Sequence, residues 1–247
     1  SMERLSSGKR INHARDDAAG MAISSKMTSQ INGMNQAVRN TNDGISMVQT
    51  ADGAMEGIAD KLQRMRELAV QSSNGIYSSS DRAALDIEFQ ALDDEINRVA
   101  SSAEFNGTNL IDADAQIDIQ VSYAADSTNG KITVSLSGVD STDLGINANV
   151  ITSQAASSTA ITAVDAALST VNSARATLGA TQNRLETTVK DLKNNVENLS
   201  ASRSRIEDAD FASETAQLAK SQILQQAGMA MLAQANQLPQ QVLSLLR

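Results

Sequence analysis

Residues 159–203 read TAITAVDAALSTVNSARATLGATQNRLETTVKDLKNNVENLSASR. One position of a seven-residue repeat holds Val164, Val171, Leu178, Leu185, Leu192 and Leu199. A second holds Ile161, Leu168, Arg175, Gln182, Val189 and Val196. An apolar stripe that recurs every seven residues marks a helix packed lengthwise on other helices. The stretch contains no Pro, and at ~1.5 Å per residue its helix is about 65 Å long. A helix of that length cannot bury its stripe alone, so it needs partner helices. Polar Arg175 and Gln182 at seam positions either fix the register or mark where the bundle opens.

Two partners lie upstream. Residues 30–73 carry Ile31, Met34, Val38, Ile45, Val48, Met55, Ile58, Leu62, Met65 and Ala69 at helical spacing. Gly33, Gly44, Gly53 and Gly57 weaken this helix locally, which points to close backbone contact or weak isolated stability. A break follows at Ser72–Ser80, where Asn74-Gly75 is a turn signal and Ser80 a candidate cap. The next helix, 81–103, presents Leu85, Phe89, Leu92, Ile96, Val99 and Ala103 on one face.

After Phe105-Asn106-Gly107 the periodicity changes to two. Ile117, Ile119 and Val121 alternate with polar residues, as do Ile132, Val134 and Leu136, with Asn129-Gly130 between the runs. This predicts a β-hairpin at about 117–136. Residues 137–157 read as loop or short strands. The expected fold is mostly α: an elongated rod of long antiparallel coiled-coil-like helices, a small β-hairpin region and a C-terminal helix.

That C-terminal helix is unusual. From Ser221 to Leu246 there is no charged residue, although 20% of the chain is charged. Its Gln and Asn residues make it too polar to span a bilayer. Its Ile223, Leu224, Met231, Leu232, Leu238, Val242, Leu243, Leu245 and Leu246 make it too apolar for a solvated helix. Such a segment is suited to packing against other chains, which points to assembly rather than catalysis. Pro239 should bend or restart it.

Composition agrees. Aromatic residues make up 2% of the chain, so the core is thin and rests on small and aliphatic side chains. There is no Cys, which removes disulfides and thiolate metal sites, and His13 is the single histidine. A net charge of -9 disfavours nucleic acid as a partner. No apolar run reaches the ~18 residues of a membrane span. The acidic groups Asp16-Asp17, Asp93-Asp94-Glu95 and Glu207-Asp208-Asp210 lack calcium-loop spacing, and no phosphate-binding glycine loop is present. We therefore expect no enzyme, no cofactor and no metal.

Arg64 and Arg66 stand beside the apolar stripe of the first long helix. One reading is surface salt bridging, for example Arg64 with Glu67 or Asp60. The other is a protein-contact patch.

Ordered motifs at both ends carry a resemblance. They are Glu3-Arg4-Leu5-Ser6-Ser7-Gly8-Lys9-Arg10-Ile11-Asn12, Asp16-Asp17-Ala18-Ala19-Gly20, Asn42-Asp43-Gly44-Ile45-Ser46, Gln49-Thr50-Ala51-Asp52-Gly53-Ala54, Leu62–Gln71 and Phe105-Asn106-Gly107. At the back are Ser204-Arg205-Ile206-Glu207-Asp208-Ala209-Asp210-Phe211 and Gln222 to Arg247. Over 1–111 and 159–247 the chain resembles bacterial flagellin, the subunit of the flagellar filament. The resemblance implies that residues 1–29 are the end of an inner N-terminal helix and an extended spoke. Residues 30–204 would be a rod domain, and 205–247 a second spoke and an inner-tube helix. It also implies an N-terminally truncated member, because family members carry a further N-terminal helix. Ile111–Ser158 is too short for the large outer domains of many flagellins.

The functional expectations follow from the resemblance. They are a self-assembling subunit for swimming motility, secreted and located in the extracellular flagellum, with other flagellin subunits and a flagellar export chaperone as partners. Toll-like receptor 5 would contact Arg64, helped by Gln63, Glu67 and Leu68, with Glu88 on the second helix. NAIP-type receptors would sense Val242, Leu243, Leu245, Leu246 and Arg247. A hook–filament junction protein, which shares the terminal helices, is the alternative, and a non-flagellar signalling coiled coil is a more distant one.

Overall fold

A computed structural model of the chain describes residues 2–124 and 130–245, and for residues 233–245 it is the helical backbone alone that is described. Two compact units emerge. One combines residues 33–194, and the other combines 1–32 with 195–247.

The 33–194 unit is built on long helices. Helix α2 spans Ala18–Ser72, with its part from residue 33 onward in this unit. Helix α3 spans Ser79–Ser102, and α4 spans Gln154–Glu207, with its part up to residue 194 here. Cross-links between the helices set their directions. Arg66 of α2 bonds Asp165 of α4, and Asp52 of α2 bonds Arg175 of α4, so the two helices run antiparallel. Arg64 of α2 reaches Glu88 of α3, while Arg82 of α3 reaches the Ser72 carbonyl, so this pair is antiparallel too.

The seams follow a three–four alternation. On α2 the seam runs through buried Ala37, Thr41, Gly44, Val48, Ala51, Met55, Ile58, Leu62, Met65, Ala69 and Ser72, with Met34, Met47, Ala59 and Leu68 also buried beside it. On α4 they are Ser157, Ala160, Val164, Ala167, Val171, Ala174, Leu178, Thr181, Leu185 and Leu192. Each fully buried Leu, Ile or Met contributes about 1.5–3 kcal/mol of transfer free energy. The expected second seam of α4 is corrected here: Ile161, Leu168, Arg175, Gln182, Val189 and Val196 are half-buried flanks. Ala160, Ala167, Ala174 and Thr181 take the seam instead. Small side chains there let α4 close on α2. On α2, Val38 and Ile45 are likewise half-buried rather than central.

Helix α3 starts on a reciprocal cap. The Asp81 amide donates to Ser78 Oγ, and the Ser78 amide donates to Asp81 Oδ2. The cap is thus Ser78 and not Ser80. Its buried face is Phe89, Asp93, Ile96 and Ala100, with Leu85, Leu92 and Val99 alongside. The chain then reverses through strands β1 (Glu104–Phe105) and β2 (Thr108–Asn109). Asn106 and Gly107 both take positive φ, 50° and 77°, the geometry of a tight hairpin turn that Asn-Gly adopts at low cost.

Strands β3 (Ala115–Gln120) and β4 (Lys131–Leu136) pair antiparallel, with Ile117 opposite Val134 and Ile119 opposite Ile132. The alternation puts Ile132, Val134 and Leu136 inside. This hairpin rests on α2 below the stretch that α3 covers. Ile119 lies over Gly44, Asn40 bonds the Gln120 carbonyl, and Tyr123 lies over Gly33. A Cβ at Gly33 would sit 2.6 Å from Tyr123 Cβ, so the close approach requires glycine.

Residues 137–153 contain no strand, yet they are ordered by the core. Val139, Leu144, Ile146 and Ile151 are buried. The Ser141 amide donates to Asn97, the Ile151 amide to Asp86, and Ser72 Oγ to the Ile151 carbonyl.

The other unit has α1 (Met2–Ser7), the start of α2, the end of α4 and α5 (Phe211–Leu245). Gly8, at φ 70°, ends α1. Lys9 pairs with Asp208 as an antiparallel bridge, and the Ala209 amide donates to the Gly8 carbonyl at 3.0 Å. Arg10 caps α4, its guanidinium donating to the Ile206 carbonyl and its amide to the Glu207 carbonyl. Helix α2 begins at residue 18 rather than 30, because Asp17 accepts from the Gly20 amide at 2.8 Å. Its first turns lack the apolar stripe that the periodicity required. Helix α1 lies against α5, with Leu5 and Leu218 half-buried.

Candidate functional site

Helix α5 starts on Asp210, whose Oδ1 accepts from the Ala212 amide at 3.0 Å. Glu214 and Lys220 are its only charged residues. Among its described side chains none is buried. Phe211, Ile223, Leu224, Met229, Met231 and Leu232 are all exposed large apolar groups. Their spacing distributes them around the helix. Phe211, Leu218 and Met229 fall on one face, and Leu224 and Met231, seven apart, on another. A single flat surface could cover only one of these faces. Of the residues expected to drive assembly, Ile223, Leu224, Met231 and Leu232 are placed in the open. Leu238, Val242, Leu243 and Leu245 lie on the helical backbone, with their side chains outside the description, and Leu246 and Arg247 lie outside the described residues. Phe211 and Met229 join this surface although sequence reasoning did not select them. The available signal was their spacing from Leu218, seven residues for Phe211 and eleven for Met229, which puts all three on one helix face.

The second surface is on α2 and α3. Arg64 Nε donates to Glu88 Oε1 at 2.9 Å, and Nη1 donates to Glu67 Oε2 at 3.0 Å. Glu88 first, and Glu67 second, hold the guanidinium charged. Gln63, Arg64, Glu67 and Glu88 are exposed. Leu68 is not: it is buried in the core and cannot be a surface contact, which corrects its expected role. Arg66 has a different partner, donating to Asp165 of α4 at 2.6 Å. Both arginines therefore make salt bridges, and Arg64 does so on an open face.

A cleft of about 390 Å³ is lined by Lys9, Ile11, Ser24, Thr28 and Glu207 among others. Its charges are spent on one another. Lys9 bonds Glu207, Ser24 Oγ donates to Glu207 Oε2 at 2.7 Å, and the two hold that carboxyl below its ordinary range. Among the described residues no cluster of His, Asp or Glu is placed to hold a metal, and no helix is long and apolar enough to cross a membrane.

Long antiparallel helices, a small hairpin seated on them and a terminal helix with large apolar groups exposed on two faces are the features of a structural subunit. Comparison with known proteins gives the family. The bacterial flagellin N-terminal helical region matches residues 1–116, and the C-terminal helical region matches residues 161–246. The flagellin of Halalkalibacterium halodurans is 50% identical over 248 residues, covering 100% of this chain and 90% of that one. The flagellar filament 33 kDa core protein of Treponema phagedenis is 44% identical, covering 100% and 91%. The crystal structure of Bacillus cereus flagellin matches with a TM-score of 0.54 at 33% identity, over 67% of this chain and 94% of that one. A putative flagellar hook-associated protein from Vibrio parahaemolyticus shares the fold, with a TM-score of 0.64 at 12% identity, over 78% of this chain and 100% of that one. The chain belongs to the bacterial flagellin family. It is a structural subunit of the flagellar filament and assembles with other flagellin subunits.

Proposed function

We propose that α5 is the element through which this subunit joins its neighbours, and that the chain is secreted and works in the extracellular flagellum. The observation that carries the reading is the set of large apolar side chains exposed on two faces of α5. Left in water, that surface is an association hazard. Enclosed by neighbouring helices, it contributes burial, and the absence of charge beyond Lys220 means that no ion has to be desolvated. Gln and Asn along the helix supply neutral hydrogen bonds between copies.

The same surface has to be shielded before assembly, which supports an export chaperone as a partner. The exposed Arg64, Gln63, Glu67 and Glu88 form a surface suited to Toll-like receptor 5, with Leu68 supporting it from below. Recognition by NAIP-type receptors at Val242, Leu243, Leu245, Leu246 and Arg247 rests on the family resemblance alone.

Because the chain has no cysteine, a single introduced thiol is unique. Leu224→Cys should form chain-to-chain disulfides under conditions that assemble the protein. Cysteine at exposed Ile76, far along the chain from α5, serves as the control. Equal cross-linking at both positions would remove α5 from its assigned role, and so would an unchanged assembly of Leu224→Lys.

A further inference from the structure

The nine methionines divide sharply by location. Those of the 33–194 unit, Met34, Met47, Met55 and Met65, are all buried, the last two at 0% exposure. In the other unit Met2, Met21, Met229 and Met231 are all exposed, and Met27 is half-buried. Met229 and Met231 are 58% and 72% exposed and lie on α5, two residues apart. A two-residue step rotates a helix by about 200°, so the two thioethers sit on opposite faces. With no cysteine in the chain, thioethers are its only sulfur.

We propose that Met229 and Met231 are an oxidation site that controls self-association: a peroxide converts them to sulfoxides in the unassembled subunit and thereby keeps that subunit out of assemblies. This rests on the reading of α5 as the assembly element. In the step, a sulfur lone pair attacks one peroxide oxygen and the O–O bond breaks. That oxygen remains on sulfur as the sulfoxide, and the other leaves as water after taking up the proton. Sulfur is oxidised by two electrons and the peroxide is reduced by two. Each sulfoxide places a strong hydrogen-bond acceptor on a face that assembly must bury, where an unpaired polar group is costly. Because the two residues face opposite ways, both covered sides of the helix are affected. Once assembled, the same residues are covered, so oxidation discriminates between free and incorporated subunits. Seam residues Met55 and Met65 are protected by the fold in either state.

The test treats the full chain with hydrogen peroxide, maps the modified methionines by peptide mass spectrometry and measures self-association by sedimentation. Met229 and Met231 should gain oxygen at least about tenfold faster than Met55 and Met65, and association of the oxidised chain should fall by about tenfold or more. The Met229→Leu/Met231→Leu chain keeps apolar volume without sulfur and should associate equally before and after treatment. Similar oxidation rates at α5 and in the seam would overturn the proposal. Unimpaired association of the oxidised chain would do the same, as would continued peroxide sensitivity of the leucine variant. If Leu224→Lys leaves association of the untreated chain unchanged, the α5 reading fails first and the proposal falls with it.

Discussion

Arg175 Nε of α4 donates to Asp52 Oδ1 of α2 at 2.8 Å, at the edge of the seam between the two helices. Glu56, one turn further along α2, approaches the same guanidinium at 3.7 Å. The seam itself passes through Ala174, which explains how an arginine sits beside it at no core cost. The pair is partly exposed, so its net contribution is small. A double-mutant cycle with Asp52→Ala and Arg175→Ala should give a coupling of about 0.5 kcal/mol, falling as salt is added. Thermal melts of the four proteins measure it, and a coupling indifferent to salt would show that the contact is not electrostatic.

Asp93 sits on the buried face of α3, and its Oδ1 has no hydrogen-bond partner among the described residues. Burial first, then the charges of Asp94 and Asp140, push its carboxyl above the ordinary range, and a hydrogen bond with Ser141 only partly offsets this. A folded-state pKa raised above the unfolded one means that the folded protein holds the proton more tightly. Asp93 therefore favours folding most below the unfolded value of about 3.9, and that contribution is lost as pH rises through the raised value. Asp93→Asn should stabilise the protein at neutral pH by about 1 kcal/mol. The gain should shrink towards acid. Melting temperatures across that range decide it, and a gain independent of pH would place the cause elsewhere.

Two glycines of α2 should respond oppositely to a methyl group. Gly53 is exposed with nothing within 4 Å of its added Cβ, so Gly53→Ala should stabilise by about 0.5–1 kcal/mol through helix propensity alone. At Gly33 the added Cβ would lie 2.6 Å from Tyr123 Cβ and 3.3 Å from its Cα. Gly33→Ala should lower the melting temperature, because the hairpin has to lift away. Equal stabilisation at both sites would show that the hairpin does not press on α2 there.

On the proposed receptor surface, fold and recognition should separate. Leu68→Ala removes a buried side chain and should cost about 2–4 kcal/mol of stability. Arg64→Ala removes an exposed group and should leave the melting temperature nearly unchanged. It should weaken Toll-like receptor 5 binding more than Lys61→Ala, since Lys61 Nζ is turned back to the Gly57 carbonyl. A binding assay showing equal losses for Arg64→Ala and Lys61→Ala would count against the patch.

The helices and the hairpin were legible because large apolar side chains carry a periodicity. Val164, Val171, Leu178, Leu185 and Leu192 mark one seam of α4 correctly. The other seam escaped because alanine and threonine form it, and these residues carry little hydropathic contrast. Ala37 and Thr41 on α2 were missed for the same reason, whereas Gly44 was read as a point of close contact or weakness, and Ile119 lies over it. Helix starts at Ala18 and Gln154 depend on single caps, Asp17 and Ser153, that precede any stripe. The apolar loop residues Val139, Leu144, Ile146 and Ile151 have no period at all, and only tertiary contacts order them. Of the proposed surfaces, α5 stood out in the sequence by its missing charges, and its described apolar side chains are exposed. The burial of Leu68 was not, because one turn of an amphipathic helix places contact and core residues side by side.

Tyr123 over Gly33 has a practical consequence. The chain has two tyrosines and no tryptophan, and the other, Tyr77, accepts a hydrogen bond from Gln71 at the α2–α3 turn. The protein thus carries two built-in optical reporters, one at the seat of the hairpin and one at the opposite end of the α2 segment that α3 covers. Near-ultraviolet circular dichroism, with Tyr77→Phe or Tyr123→Phe to separate the signals, can follow these two places independently without any attached label.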